Sequence, residues 1–116
     1  MKKFVTDDIS YYEDFKSDMN FFWKEYIKTN SLNDSKILET SYLYRYVDLQ
    51  EDEHYRICIL LPLIKVEIEN NILSKELLEE LEIYYEDFNN GVLDDELYEH
   101  EYEAIKEDLY WCYNNK

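Results

Sequence analysis

The stretch from residue 55 to residue 69 reads YRICILLPLIKVEIE, and it decides the fold. Its second half, residues 64–69, alternates apolar and polar side chains as a half-buried strand does. A helical stripe also runs through the stretch, formed by Ile57, Leu60, Leu61, Ile64 and Ile68. No hairpin turn sequence flanks it, and Asn70-Asn71 supplies a polar stop. We therefore predict a helix kinked at Pro62, with an isolated or paired strand over residues 55–69 as the alternative.

Toward the N-terminus, apolar residues recur at helical spacing in two segments. The first has a capping box over Ser10–Glu13, although residues 6–7 also fit as its start, and the polar residues 29–31 end it. Its inner face is predicted to carry Phe15, Met19, Phe22, Trp23 and Tyr26. The second segment starts near residues 33–34, and its inner positions are Leu38, Tyr42, Tyr46 and Leu49.

Toward the C-terminus, Ser74 is predicted to cap a fourth helix, which residues 89–91 (Asn-Asn-Gly) end because Asn and Gly tolerate the left-handed conformation. Its inward positions are Leu77, Leu78, Leu81, Tyr84, Tyr85 and Phe88. A last helix starts at residues 94–95, where acid suits the positive end of the helix dipole. Its inner face carries Tyr98, Tyr102, Ile105, Leu109 and Cys112. The sequence predicts one all-α domain over residues 1–116, a compact bundle of about five helices.

The composition favours a folded, helix-rich protein. The 116 residues include 13 Tyr, 5 Phe and 2 Trp, which is too much ring surface for a solvated acidic tail. One Gly and one Pro leave little room for hairpins. No signal peptide is recognisable, and the longest apolar run, residues 57–64, is far shorter than the roughly 20 residues that span a bilayer. We expect a cytoplasmic protein in which Cys58 and Cys112 are buried free thiols.

Residues of the kinds used in metal and catalytic sites occur without a recognisable pattern. One Glu-x-x-His spacing ends at His54, whereas a di-metal bundle needs two, and none ends at His100. There is no Cys-x-x-Cys and no glycine-rich phosphate loop. Cys58 lies inside the apolar run and both histidines lie outside it. We therefore predict two surface histidines, no metal site, no cofactor and no enzymatic activity.

Charge is the feature that bears on function. Residues 1–66 carry 12 acidic and 9 basic side chains, a net charge of −3, whereas residues 67–116 carry 16 acidic and 3 basic, a net charge of −13. Like charges at this density destabilise the compact state. They would also repel nucleic acid and anionic membranes. The sequence therefore predicts either a solubilising surface or a face that docks on a strongly basic partner.

The acidic residues of the last two predicted helices follow helical spacing. Glu96 and the three glutamates after it at i+3, i+7 and i+11 fall on one side of the last helix, with Glu101 and Asp108 at its flank. Ile83 points away from the inner face of the fourth helix, and Tyr110 falls on the glutamate side. For these two residues, packing against a neighbouring helix is the alternative to docking. The candidate partner-binding residues are Glu79, Glu86, Glu96, Glu99, Glu103, Glu107 and Tyr110.

A small, tyrosine-rich, very acidic domain without catalytic motifs resembles the bacterial toxin immunity proteins of contact-dependent growth-inhibition systems and nuclease bacteriocins. The resemblance covers the whole chain in composition and includes no motif, so it transfers no residue roles. It implies a protein that binds a basic nuclease toxin domain and covers its active site, with acids facing the toxin's lysines and arginines. The alternatives are an acidic nucleic-acid mimic, of the anti-restriction or anti-CRISPR kind, and a non-catalytic adaptor domain whose charge serves solubility.

Overall fold

The computed structural model describes residues 11–29 and 35–116. Within these ranges the chain is all-α and forms no strand, as predicted. Its helices are α1 Tyr11–Tyr26, α2 Ser35–Leu43, α3 Glu53–Glu69, α4 Lys75–Asn89 and α5 Glu99–Asn115. The predicted starts of the first two helices, at Ser10 or residues 6–7 and at residues 33–34, lie outside the described ranges.

The helix α3 forms the centre of the bundle. It packs against each of the other four helices, and every residue from Ile57 to Ile64 is buried. A helix that is apolar on all sides belongs in a protein interior. Asp52 begins it, because its Oδ1 accepts hydrogen bonds from the backbone N–H groups of His54 at 2.9 Å and Tyr55 at 3.3 Å. The strand alternative is therefore wrong, since residues 55–69 lie wholly within α3.

Pro62 inside α3 and Asn70-Asn71 after it behave as the chemistry of proline and asparagine requires. Pro62 lies within the helix and has no N–H for the carbonyl of Cys58, one turn earlier. The kink predicted there stays a prediction. The helix stops at Asn70, as predicted, and Asn71 takes a left-handed φ of 59°. The next N–H, of Ile72, then bonds back to the carbonyl of Glu67 at 2.9 Å, which closes a Schellman turn.

The inner faces of α1 and α4 match the predictions closely. Phe22 and Trp23 are half-buried and the other predicted α1 residues are buried, together with Tyr12, which the pattern missed. Ser74 caps α4, since its Oγ accepts from the N–H of Leu77 at 3.2 Å. The core positions of α4 are Leu77, Leu81, Tyr84 and Phe88. Ile83 points away from the core, as predicted, and is 55% exposed.

The second helix is shorter than predicted. It ends at Leu43, and the chain continues to α3 through two 3₁₀ turns, so Leu49 is 39% exposed rather than buried. The side-chain amide of Gln50 donates to the Leu43 carbonyl at 3.0 Å and satisfies that helix end. Tyr46 packs edge-on against Phe15 at 5.2 Å between ring centroids. These tertiary contacts end α2 before its apolar pattern does.

The last helix begins at Glu99, so the start predicted at residues 94–95 is wrong. Leu93 and Leu97 are both buried, and the N–H of Leu97 bonds to the Leu93 carbonyl at 3.1 Å in a turn that precedes the helix. Tyr98 follows in an extended conformation with ψ 134°. The helix thus begins later in the sequence than predicted, because the two leucines of the connecting turn are buried. Further along, Ile105, Leu109 and Cys112 are buried as predicted, and both cysteines are free.

Candidate partner-binding face and buried polar cluster

Three acidic side chains of α1, those of Glu13, Asp18 and Glu25, are paired with bases. Asp18 accepts from Arg45 Nη2 at 2.9 Å, and Glu25 accepts from Lys28 Nζ at 3.0 Å. Such exposed pairs contribute only about 0–1 kcal/mol each to stability. Their effect on the surface is larger, because each base cancels the charge of an acid beside it.

The six predicted glutamates of the C-terminal part behave differently. All are exposed, and none forms an ion pair with any residue in the described ranges. Glu96 lies in the turn before α5, so the helical row on α5 consists of three residues about 6 Å apart along the axis. We define the outer acidic face as Glu79, Glu82 and Glu86 of α4 together with Glu99, Glu103 and Glu107 of α5.

Tyrosine rings join the two helices of the outer acidic face. Tyr85 stacks in parallel on Tyr113, with ring centroids 3.6 Å apart and 3° between the planes. Tyr110 packs against Tyr85 at 5.3 Å and its hydroxyl donates to Asn89. Tyr85 meets Tyr113, whereas Asn89, later on α4, meets Tyr110, earlier on α5. The two helices therefore run antiparallel. Tyr110 is half-buried, so the structure gives this predicted docking residue a packing role.

His54 is a core residue, and the prediction that it lies at the surface is wrong. It is 2% exposed, its Nε2 lies 2.7 Å from Glu101 Oε1, and its ring stacks on Tyr98 at 3.9 Å. Cys58 Sγ lies 3.6 Å from the same nitrogen, so the fold brings this cysteine to His54 although only Cys58 belongs to the apolar run. The i, i+4 spacing within α3 was the available signal. His100 is exposed, as predicted.

Glu101 lies inside the bundle, not at the flank of the acidic row as predicted. It is 1% exposed. One carboxylate oxygen meets His54 on α3, and the other accepts the backbone N–H of Tyr12 in the first turn of α1. A negative charge is favourable at a helix N-terminus, where N–H groups lack partners within the helix. Glu101 therefore ties α1, α3 and α5 together.

The cluster of His54, Cys58 and Glu101 resembles a ligand set, because its donor atoms lie within 4.8 Å of one another. The N–H of Tyr98 donates to His54 Nδ1 at 3.4 Å, which places the ring proton on Nε2, facing Glu101. A metal on Nε2 would need that proton on Nδ1, opposite another donor. Burial, and then the Glu101 charge, raises the pKa of the Cys58 thiol and keeps it neutral. These residues fit a hydrogen-bonded core cluster better than a metal or nucleophile site.

Asp108 is the second acid on the inner side of α5, and its predicted place at the flank is also wrong. It is buried, and the hydroxyl of Tyr12 donates to its Oδ2 at 2.6 Å. Lys16 and Lys65 approach its two oxygens at 3.4 and 3.8 Å. Burial, and then the bond to Asp108, raises the pKa of Tyr12, so its hydroxyl keeps its proton.

A third buried acidic site lies between α2 and α3. Glu67 is fully buried, and its Oε1 accepts the N–H of Ser74 at 3.0 Å. Its Oε2 and the Oε2 of Glu39 are buried, and neither has a hydrogen-bond donor. Burial and a neighbouring carboxyl group both favour the protonated form of a carboxyl group. Burial, and then the interaction with Glu39, raises the pKa of Glu67 to about 9.

No family model matches this chain, and no curated protein or solved structure matches it significantly. In the described part of the chain, none of the helices combines the length and the apolar character needed to cross a membrane. The surface and the charges of the molecule itself are therefore the features that bear on its function.

Proposed function

We propose that this protein is a stoichiometric inhibitor of the immunity-protein type, which binds a basic nuclease toxin domain and covers its active site. The observation that carries the proposal is the outer acidic face, whose carboxylates are exposed and have no basic partner in the described chain. Other acids of the chain, such as Asp18 and Glu25, are paired with bases. A surface that leaves its charge uncompensated is suited to a partner that supplies the opposite charge.

Inhibition in this proposal needs no catalytic group. A nuclease binds the phosphates of its substrate with lysine and arginine side chains. The outer acidic face would attract those same side chains, raise the rate of encounter and compete with the substrate for them. The bulk of the bundle behind the face would then block access to the active site.

One observation favours a second candidate, an acidic nucleic-acid mimic. Glu99, Glu103 and Glu107 are exposed and evenly spaced along α5, as the phosphates of one strand are evenly spaced. A mimic would bind several unrelated DNA-binding proteins, whereas an immunity protein recognises one toxin. The number of partners and their displacement by DNA therefore separate the two functions.

The test is to capture partners from a lysate of the source strain on the immobilised protein and to elute them with salt. We expect one basic protein in a 1:1 complex, with a nuclease activity that the free protein inhibits at equal concentration. Several enzymes displaced by added duplex DNA would indicate a mimic. A column that retains no basic protein would contradict both candidates.

A parallel column of a charge-reversed variant controls for nonspecific ion exchange. Glu99→Lys, Glu103→Lys and Glu107→Lys together reverse the α5 row. Asp14→Lys, Asp48→Lys and Glu51→Lys change the net charge equally at exposed positions on α1 and between α2 and α3. We expect the first variant to lose the partner and the second to retain it.

A further inference from the structure

A groove crosses the outer acidic face where α4 meets the end of α5. It has a volume of about 350 Å³ and is lined by Glu82, Tyr85, Glu86, Asn89, Asn90 and Tyr113. Two carboxylates, two amide side chains and two stacked tyrosine rings therefore surround one space. Neither carboxylate has a basic partner within the described ranges.

The rings beside this groove already attract cations within the chain. Lys116 Nζ lies 4.5 Å from the ring centroid of Tyr113, and Lys106 Nζ lies 5.8 Å from that of Tyr110. They are two of the three basic residues after residue 66. Neither forms an ion pair with a carboxylate in the described chain. The tyrosine faces are thus the positions that cations occupy in this region.

We propose that the groove between α4 and α5 is a binding site for an arginine side chain of the basic partner, with the rings of Tyr85 and Tyr113 as its wall and Glu82 and Glu86 as its charge partners. This proposal rests on the proposed function, because it names the anchor of the same face. The guanidinium displaces the ammonium group of Lys116 from Tyr113. Charge complementarity specifies the occupant: the groove offers acceptors and ring surface but no cationic side chain among the residues that line it.

Arginine fits this groove better than lysine does. Its guanidinium is planar, stacks on aromatic rings and presents two parallel N–H donors to a carboxylate. An ammonium group is a compact, strongly hydrated point charge that makes one such contact at a time. The side-chain carbonyl of Asn90 adds an acceptor for the remaining guanidinium donors, while that of Asn89 already accepts the hydroxyl of Tyr110. The groove therefore distinguishes arginine from lysine at equal charge.

The experiment compares the binding of two labelled peptides, hexa-arginine and hexa-lysine, to the full chain by fluorescence anisotropy at fixed salt. We expect the arginine peptide to bind about two- to fivefold more tightly, from one exposed ring contact. Amide shifts in the nuclear magnetic resonance spectrum should centre on Tyr85 and Tyr113. Equal affinities, or shifts centred on Glu99 and Glu103 instead, would overturn the proposal.

Variants separate the ring contact from general charge. Tyr113→Leu should bring the ratio of the two affinities close to one, while Tyr44→Leu, at an exposed tyrosine outside the groove, should leave it unchanged. Lys116→Ala removes the competing cation without touching the core and should tighten binding of the arginine peptide. If folded Tyr113→Leu keeps the wild-type ratio of the two affinities, the proposal of an arginine site is wrong. Weaker binding of the arginine peptide by Lys116→Ala would also overturn it. The proposed function would still stand if a toxin is captured and inhibited.

Discussion

The two faces of α5 use the same kind of side chain in opposite ways. On the inner face, Glu101 and Asp108 are buried, and each carboxylate meets donors from α1 and α3. On the outer face, Glu99, Glu103 and Glu107 are exposed and unpaired within the described chain. Only a shift of one or two residues along the helix separates the two sets.

This difference shows that charge alone does not define a functional surface. A buried carboxylate is stabilising only while its donors are present, because leaving it unpaired costs its full desolvation. An exposed carboxylate contributes little to folding and is available to a partner. We therefore expect substitutions on the inner face to change stability, and substitutions on the outer face to change association.

The largest effect is expected at Glu101. Glu101→Leu leaves His54 and the N–H of Tyr12 without their shared acceptor in the core. We expect a loss of about 3 kcal/mol in the free energy of unfolding, which is typical of removing one partner of a buried polar pair. Urea unfolding followed by tryptophan fluorescence measures it.

Glu103→Leu is the matched control for Glu101, since it makes the same substitution two residues later on the outer face. We expect its free energy of unfolding to stay within about 0.5 kcal/mol of the wild type. If both variants lose the same stability, the inner face has no special structural role.

The next effect, when it is measured per pH unit, is a dependence of stability on pH that arises at Glu67. Its pKa rises from 4.5 in the unfolded chain to about 9 in the fold, through burial and its contacts with Glu39, with Glu76 adding to the shift. The folded state therefore holds a proton that the unfolded state has released between these values. The stabilisation of the fold by this proton is complete below the unfolded pKa of 4.5, and it is lost as the pH rises through the folded pKa of about 9. We expect the free energy of unfolding to fall by up to about 1.4 kcal/mol per pH unit in this window.

Glu67→Gln tests this origin, because an amide is able to donate a hydrogen bond to Glu39 but does not titrate. We expect unfolding curves between about pH 6 and pH 9 to lose most of their pH dependence in this variant. Glu69→Gln, at an exposed position of the same helix, should keep it. An unchanged slope in Glu67→Gln would assign the dependence to other groups.

The smallest effect on stability is expected on the outer face. Replacing Glu103 and Glu107 with Gln removes two like-charge i, i+4 contacts, each of which costs about 0.2–0.5 kcal/mol in a helix, and keeps Glu99 at the positive end of the helix dipole. The variant should therefore be slightly more stable than the wild type at low salt, and equal to it at high salt, where the repulsion is screened. Thermal unfolding at two salt concentrations measures this difference. A destabilised variant would mean that these carboxylates have structural partners.

The sequence predicted the helices better than their ends. The pattern of apolar residues placed α3 and the inner faces of α1 and α4, since burial follows helical spacing directly. It placed the end of α2 and the start of α5 wrongly. Those boundaries depend on Gln50, which satisfies the end of α2, and on the burial of Leu93 and Leu97. Such tertiary contacts do not change the spacing of apolar residues along the chain, so the sequence pattern does not reveal them.

The inner polar residues were the least predictable part of the site. Glu101 and Asp108 look like their outer neighbours in the sequence, because a buried carboxylate is specified by its donors on other helices. His54 was misplaced for the same reason. The exposed glutamates of α4 and α5 could be predicted, since each lies opposite an apolar position of its own helix. The burial of these polar residues thus depends on hydrogen bonds to other helices, which local sequence patterns do not show.

The most direct test of the outer acidic face is the rate at which the captured partner associates with it, measured by stopped flow at several salt concentrations. With Glu99→Lys, Glu103→Lys and Glu107→Lys combined, we expect association to slow by about tenfold or more at low salt and its salt dependence to flatten, with helical content unchanged. The variant with Asp14, Asp48 and Glu51 reversed should keep a rate close to that of the wild type. An association rate and affinity that survive the α5 reversal would contradict the assignment of this face as the docking surface.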